Sequence, residues 1–220
     1  MRPTKKSSPA PLIVGVPAGG LRSGQVHGSA GAVAAGAAGE ERTAAILNRL
    51  AEQIGFTVIH DFMLPSDRYT ANVDHAIVSG NRVILTDSKV WQPGFYWGMS
   101  TCRRGWEKFP PADKRTMPMA VTMLGGYLRS TGATVDPHPL IIVWPANARK
   151  QLRMWAWMSS NGTVPVHGDR LEQVIRSKHL KRPANPEIVD ALSRLLVTRS
   201  ASGRRRDAGG VVIDATDDWG

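Results

Sequence analysis

The residues that could do chemistry gather at the end of one hairpin pattern. Residues 72–79 and 82–90 alternate as strands around Gly80-Asn81, a two-residue turn signal. With that turn, Ser79 pairs with Arg82, and the register carries Asp74 directly opposite Asp87. Paired side chains share a face, with Cβ atoms about 4.5–5.5 Å apart. Alternation puts Ala76, Val78, Val83 and Leu85 on that face too, and Lys89 points the same way. Like charges placed opposite each other destabilise a hairpin. A divalent cation held by hard carboxylate oxygens would relieve the repulsion. The plainer alternative is an Asp87–Lys89 ion pair at the strand end, with Asp74 solvated.

A third carboxylate comes from the preceding helical pattern. Ala44, Leu47, Ala51 and Ile54 form one apolar stripe, and Glu40 falls on it while Glu41 does not. An acid on a core-facing stripe wants a partner. Either Glu40 opens the helix, where its charge suits the dipole, or a helix packed on the sheet brings it to the two aspartates.

The elements that must position these groups alternate between helix and strand. The pattern predicts a helix over 40–54 closed by Gly55, then a strand over 56–62. Residues 91–118 read as irregular. A helix over 119–129, a buried strand over 139–144, a helix over 147–159 and a short strand over 162–167 follow. Asp169 with Glu172 reads as a capping box, and Asn185-Pro186 as an N-cap with proline in the first turn.

Other candidates lie nearby. Trp91, Phe95, Tyr96, Trp97 and Trp106 are interleaved with Arg103, Arg104 and Lys108. They could stack bases and track phosphates, or cap the core. On a 147–159 helix Trp155 and Trp157 would face different ways, one into the core. His75 points away from Asp74 and reads as structural. His60, His138, His167 and His179 show no paired metal spacing. Arg204–Arg206 read as a solvated run, or as phosphate contacts.

Gly39-Glu40 opening a helix, then Val73-Asp74-His75, then Asp87-Ser88-Lys89 before Trp91 and Gly94, resembles the nuclease-related domain (NERD) family of the PD-(D/E)xK nuclease superfamily. The resemblance covers about 39–95 closely and the rest to about 198 by element order. It implies an α/β fold with a restriction-endonuclease-like core, a mixed four-stranded sheet flanked by helices. It implies a magnesium-dependent hydrolase acting on DNA phosphodiesters, with Mn²⁺ a possible substitute for Mg²⁺. Asp74 and Asp87 would bind the metal, Glu40 would complete or support the site, and Lys89 would orient water or stabilise transition-state charge. Arg103, Arg104, Lys108, Trp91 and Trp97 would contact nucleic acid. The chain departs from the family pattern at Arg115–Ala120, which contains no Gln. The rival reading is a non-catalytic DNA-binding module on the same fold.

Composition agrees with a polyanion partner. Lys plus Arg number 28 against 18 Asp plus Glu, a formal net charge of +10 over 220 residues, so nucleic acid is the first expected partner and an anionic membrane surface the second. With the resemblance, the expectation is DNA, with RNA open and no membrane. The lone Cys102 excludes an intrachain disulfide and any multi-thiolate zinc site. No apolar run is long enough to span a membrane, and the expectation is an intracellular, cytoplasmic protein. Residues 1–38, basic and rich in Gly and Ala, read as a flexible arm. Residues 39–200 read as the nuclease-like domain, and 201–220 as a flexible tail.

Overall fold

The computed structural model describes residues 12–19, 29–66, 71–98, 101–109, 115–157 and 162–196. A short strand, β1 (Ile13–Val14), precedes a long helix, α1 (Ala30–Ile54). Then come β2 (Thr57–Met63), β3 (Asn72–Ser79), β4 (Arg82–Trp91), β5 (Gly94–Gly98), β6 (Cys102–Arg104) and β7 (Glu107–Lys108). Helix α2 (Thr116–Tyr127) leads to β8 (Thr134–Val135), β9 (Leu140–Pro145), β10 (Leu152–Trp157) and β11 (Val164–His167). Helices α3 (Leu171–Ser177) and α4 (Pro186–Ser193) follow.

The main sheet has seven strands in the order β1-β2-β3-β4-β9-β11, with β8 also on β4, so it is larger than the four strands expected. It is mixed: β2-β3-β4 is an antiparallel meander, whereas β9 lies parallel to β4 and β11 parallel to β9. Its two faces are both covered. Ile77, Ile84 and Ile142 pack with Leu47 and Leu50 of α1 and Leu171 and Ile175 of α3. Ala76, Val78, Val83 and Leu85 pack with Leu124 of α2 and Ile188 and Leu192 of α4. Alternate residues of one strand thus enter different cores, which is why β3 and β4 read as near-continuous apolar runs.

Several expectations fail here for identifiable reasons. Helix α1 begins ten residues before Glu40, because Ser29 caps it (Ala32 N–H to Ser29 Oγ, 3.3 Å) and the alanines outweigh the glycines between them. Residues 1–38 are therefore not all arm: β1 pairs with β2 through Ile13↔Val58 and Val14↔Ile59, and 30–38 are helical. The parts of that arm at 1–11 and 20–28, and the tail at 201–220, lie outside the described residues. Residues 147–159 are not a helix. Asn147–Lys150 form a turn, and 152–157 pair with β5 as a strand, where aromatic side chains on a pleated surface suit them better than on a helix. Finally, Asp169 and Glu172 form no capping box. His167 Nδ1 accepts the Asp169 N–H at 3.3 Å, and Glu172 instead pairs with Arg49 and Arg176.

The stretch 91–118 is not irregular but supplies most of a second sheet, of four strands in the order β10-β5-β6-β7. The parallel pair β4/β9 runs on directly into the parallel pair β5/β10. A small core of Trp91, Tyr96, Cys102, Ile141, Val143 and Leu152 fills the junction.

Candidate functional site

The hairpin register is as the turn residues require. Ser79↔Arg82, Val78↔Val83, Ile77↔Ile84, Ala76↔Leu85 and His75↔Thr86 are paired. Gly80 adopts φ 58°, a conformation glycine takes without a Cβ penalty. Ladder pairing stops at His75↔Thr86, one step short of Asp74 and Asp87. There the Asp74 carboxylate replaces the backbone as acceptor: the Ser88 N–H donates to Asp74 Oδ2 at 2.6 Å. The ladder ends where the candidate site begins.

Along one face of β4 the residues run Val83, Leu85, Asp87, Lys89, Trp91. Val83 and Leu85 belong to the core under α2 and α4, and Trp91 to the core under the second sheet. Asp87 and Lys89 thus occupy the seam between two apolar coverings. Lys89 Nζ lies 2.8 Å from Asp87 Oδ2, and its side chain remains 36% exposed. The ion pair of the plainer reading is present, but Asp74 is not solvated: it is 5% exposed.

Glu40 reaches this region from the third turn of α1, not from the helix start. The dipole account therefore fails, since the effect fades after the first turn. Glu40 is nonetheless 6% exposed. The local reason is Gly39. A Cβ there would stand 2.7 Å from Val90 Cγ2, so the glycine lets α1 approach β4 closely. Thr43, one turn on, fastens the approach. Its hydroxyl donates to the Gly39 carbonyl (3.1 Å) and accepts from Ser88 Oγ and Trp144 Nε1 (2.9 Å each).

The electrostatics follow from burial. Desolvation, then the Asp74 charge, pushes the Glu40 carboxyl far above the usual range, with Lys89 opposing. Desolvation, then Asp87, likewise raises Asp74, with Lys89 and the Ser88 hydrogen bond opposing. Burial pulls the Lys89 ammonium down, but Asp87 and Asp74 outweigh it and hold it above its ordinary value. Lys89 is therefore a fixed positive charge rather than a base.

One acid escaped the sequence reading. Asp61 sits within β2, 3% exposed, with φ 49° in the left-handed region. Asp tolerates that conformation better than most residues. It accepts Asn72 Nδ2 at 3.0 Å and adds to the negative field at Glu40 and Asp74. An acid inside an otherwise apolar strand pattern was the available signal.

His75 alternates away from Asp74 onto the side of β3 that faces α1, as expected of a structural residue, and its Nε2 lies 3.4 Å from Ser88 Oγ. Its Nδ1 lies 2.8 Å from His60 Nδ1, and His60 Nε2 lies 2.8 Å from Asn48 Oδ1. His138 Nδ1 lies 3.2 Å from the Gly162 carbonyl oxygen, and His167 makes a local cap contact with the Asp169 N–H.

Hard carboxylate oxygens in a buried, like-charged cluster are the donors a Mg²⁺-type cation takes, so Glu40, Asp74 and Asp87 fit such an ion by chemistry. As the side chains stand, no three His, Cys, Asp or Glu residues among the described ones are grouped to hold a metal.

The proposed nucleic-acid contacts divide between two faces of the second sheet. Trp97 and Arg103 are paired and share the outer face, and Arg103 lies 5.9 Å over the indole. Lys108 pairs with Arg103 on that face. Trp91 does not join them: it is 2% exposed and packs on Tyr96 and Phe109, so no base can stack on it. Arg104 alternates to the other side and donates to the Pro93 carbonyl at 2.9 Å.

Residues 35–122 match the family model of the nuclease-related domain (NERD). Glu40, Asp74, Asp87 and Lys89 all fall within that span; β9, β10 and β11 lie beyond it. No curated protein and no solved structure matches the chain.

Proposed function

We propose that the nuclease-related domain of this chain is a metal-dependent hydrolase of DNA phosphodiester bonds. The observation that carries this reading is Glu40, a carboxylate buried in mid-helix. A glycine allows the helix contact that brings it into the field of Asp74, Asp87 and Lys89. Stability alone gives no reason to bury an acid among acids.

Asp74 and Asp87, with Glu40, would hold Mg²⁺ or Mn²⁺. Such an ion supplies a nucleophilic water near neutral pH and charge stabilisation on phosphate oxygens. The Lys89 ammonium, charged at neutral pH, directs its N–H donors at the attacking water or at a phosphate oxygen and stabilises the developing negative charge. Asp87 holds Lys89 in place, and Asp74 fixes the β4 backbone through the Ser88 N–H. Thr43 and Gly39 hold Glu40 against the sheet. The net charge of +10 favours association with DNA. No helix among the described residues is long and apolar enough to cross a membrane.

A second reading has its own support. The lack of a three-ligand grouping among the described residues favours a non-catalytic DNA-binding module. One experiment separates the two. Plasmid and linear DNA are incubated with wild type, Asp87→Ala and Lys89→Ala in Mg²⁺, Mn²⁺ or EDTA, with binding read separately. The nuclease reading expects cleavage by wild type only with metal, and its loss in both variants while binding persists. Cleavage in EDTA or by Asp87→Ala removes the metal-hydrolase reading. Binding without cleavage in any metal leaves the module.

A further inference from the structure

The outer face of the second sheet carries more than the sequence suggested. β10 adds a strand that the helical reading had hidden. In register, Trp155 pairs with Trp97, Trp97 with Arg103, and Arg103 with Lys108, so one row crosses all four strands. Arg153 pairs with Phe95 in the next row of the same face. Trp155 is 66% exposed and Phe95 42%, with ring centroids 6.4 Å apart in a stacked arrangement. Trp106, 87% exposed, stands edge-on to Trp97 at 6.2 Å. The inner face of the same strands is apolar and filled by Tyr96, Cys102 and Leu152. The outer aromatics are therefore not needed for the core.

Burying an indole is favourable, so exposed indoles side by side invite a flat apolar partner. Three cations share the face, whereas Glu107 pairs with Arg104 on the opposite one. Aromatic planes between guanidinium and ammonium groups match a chain of bases on a phosphate backbone. A duplex hides its base faces in its own stack, so these rings suit unpaired bases.

We propose that this face binds single-stranded DNA, with bases stacked on Trp155, Phe95 and Trp106 and phosphates held by Arg103, Lys108 and Arg153. The inference rests on the nucleic-acid reading above and names the substrate form. β5 begins at Gly94, five residues after Lys89 in the chain.

The test uses the full chain in EDTA, with labelled oligo(dT) and a duplex of equal length, read by fluorescence anisotropy. Trp155→Ala should weaken oligo(dT) binding by between about five-fold and about a hundred-fold, the range of one stacked base. Duplex binding should change by less than about two-fold on the same scale. Trp155→Phe should restore most of the loss, and an unchanged melting temperature shows that the variant folds. Oligo(dT) binding unaffected by Trp155→Ala overturns the proposal. So does equal loss for single strand and duplex, a wild-type preference for duplex, or tighter binding of oligo(U) than of oligo(dT). The stacking platform and the metal-dependent cleavage fail independently: one is read without metal, the other only with it.

Discussion

Gly39 of α1 stands so close to Val90 of β4 that an added Cβ would fall 2.7 Å from the valine's Cγ2. Val90 is β-branched and stiff at χ1, so it yields poorly. Gly39→Ala would gain up to about 1 kcal/mol of helix propensity but lose about 1–3 kcal/mol to overpacking. The expected net result is a lower melting temperature. Gly31, in the same helix with nothing within 4 Å of its would-be Cβ, is the control, and Gly31→Ala should hold or raise it. Equal effects at both positions would remove the close approach as the reason for the Gly39-Glu40 pair. Cleavage should suffer more than stability in Gly39→Ala, because Glu40 moves with the helix.

Thr43→Val keeps the shape and removes the hydroxyl that accepts from both Ser88 and Trp144. Each buried donor left without an acceptor costs about 1–3 kcal/mol. Thermal or urea unfolding should show a loss of that size, and Thr43→Ser should recover most of it. A neutral Thr43→Val would mean that the two donors find other acceptors.

Lys89 is the positive charge that opposes the raised carboxyls of Glu40 and Asp74. In metal-free protein, Lys89→Met should lower the melting temperature, since Asp87 and Asp74 then repel without an ammonium between them. Asp87→Asn should hold or raise it, because the Asp74 carboxyl is pushed up partly by Asp87. Added Mg²⁺ should raise the melting temperature of wild type and not of Asp87→Asn. The opposite order of the two variants in EDTA would show that the ion pair, not the repulsion, dominates.

The pH dependence of stability has two opposed parts. Glu40 and Asp74 keep their protons in the fold at pH values where the unfolded chain has lost them. Their contribution is complete below the ordinary carboxylate range and is lost as pH rises, through about 8 for Asp74. His60, pushed down to about 4 by burial, and His75, lowered by burial and by His60, behave oppositely. Their contribution is complete above the ordinary histidine value of 6.5 and is lost as pH falls toward 4. Between these limits the slopes oppose each other; above about 6.5 the carboxyls act alone. Metal-free protein should therefore lose melting temperature from about pH 6.5 to about pH 8. Mg²⁺ should stabilise more at the upper end, where its ligands deprotonate more readily. Asp74→Asn should flatten the curve, and a flat wild-type curve would contradict the raised carboxyls.

The hairpin and its acids were legible from sequence alone because the information is local. Gly80-Asn81 sets the register, and the period of two assigns every residue from His75 to Thr86 to its face. The 3.6-residue stripe likewise marked Glu40 as inward-facing, and Asn185-Pro186 marked the start of α4. Packing decided the rest. Whether 147–159 coils or extends depends on β5 offering it an edge, and that edge lies more than fifty residues earlier in the chain. Trp91 and Trp97 look alike in the sequence, yet the junction between two sheets buries one and leaves the other on the outer face. Glu40 looked like a helix opener until Ser29 set the start a long way upstream. Asp61 was passed over although an acid inside the β2 pattern was there to be read; that it is buried beside the other acids, only the packing decides. Only the end of the β3–β4 ladder, where backbone pairing gives way to the Asp74 carboxylate, shows why acids gather at that point.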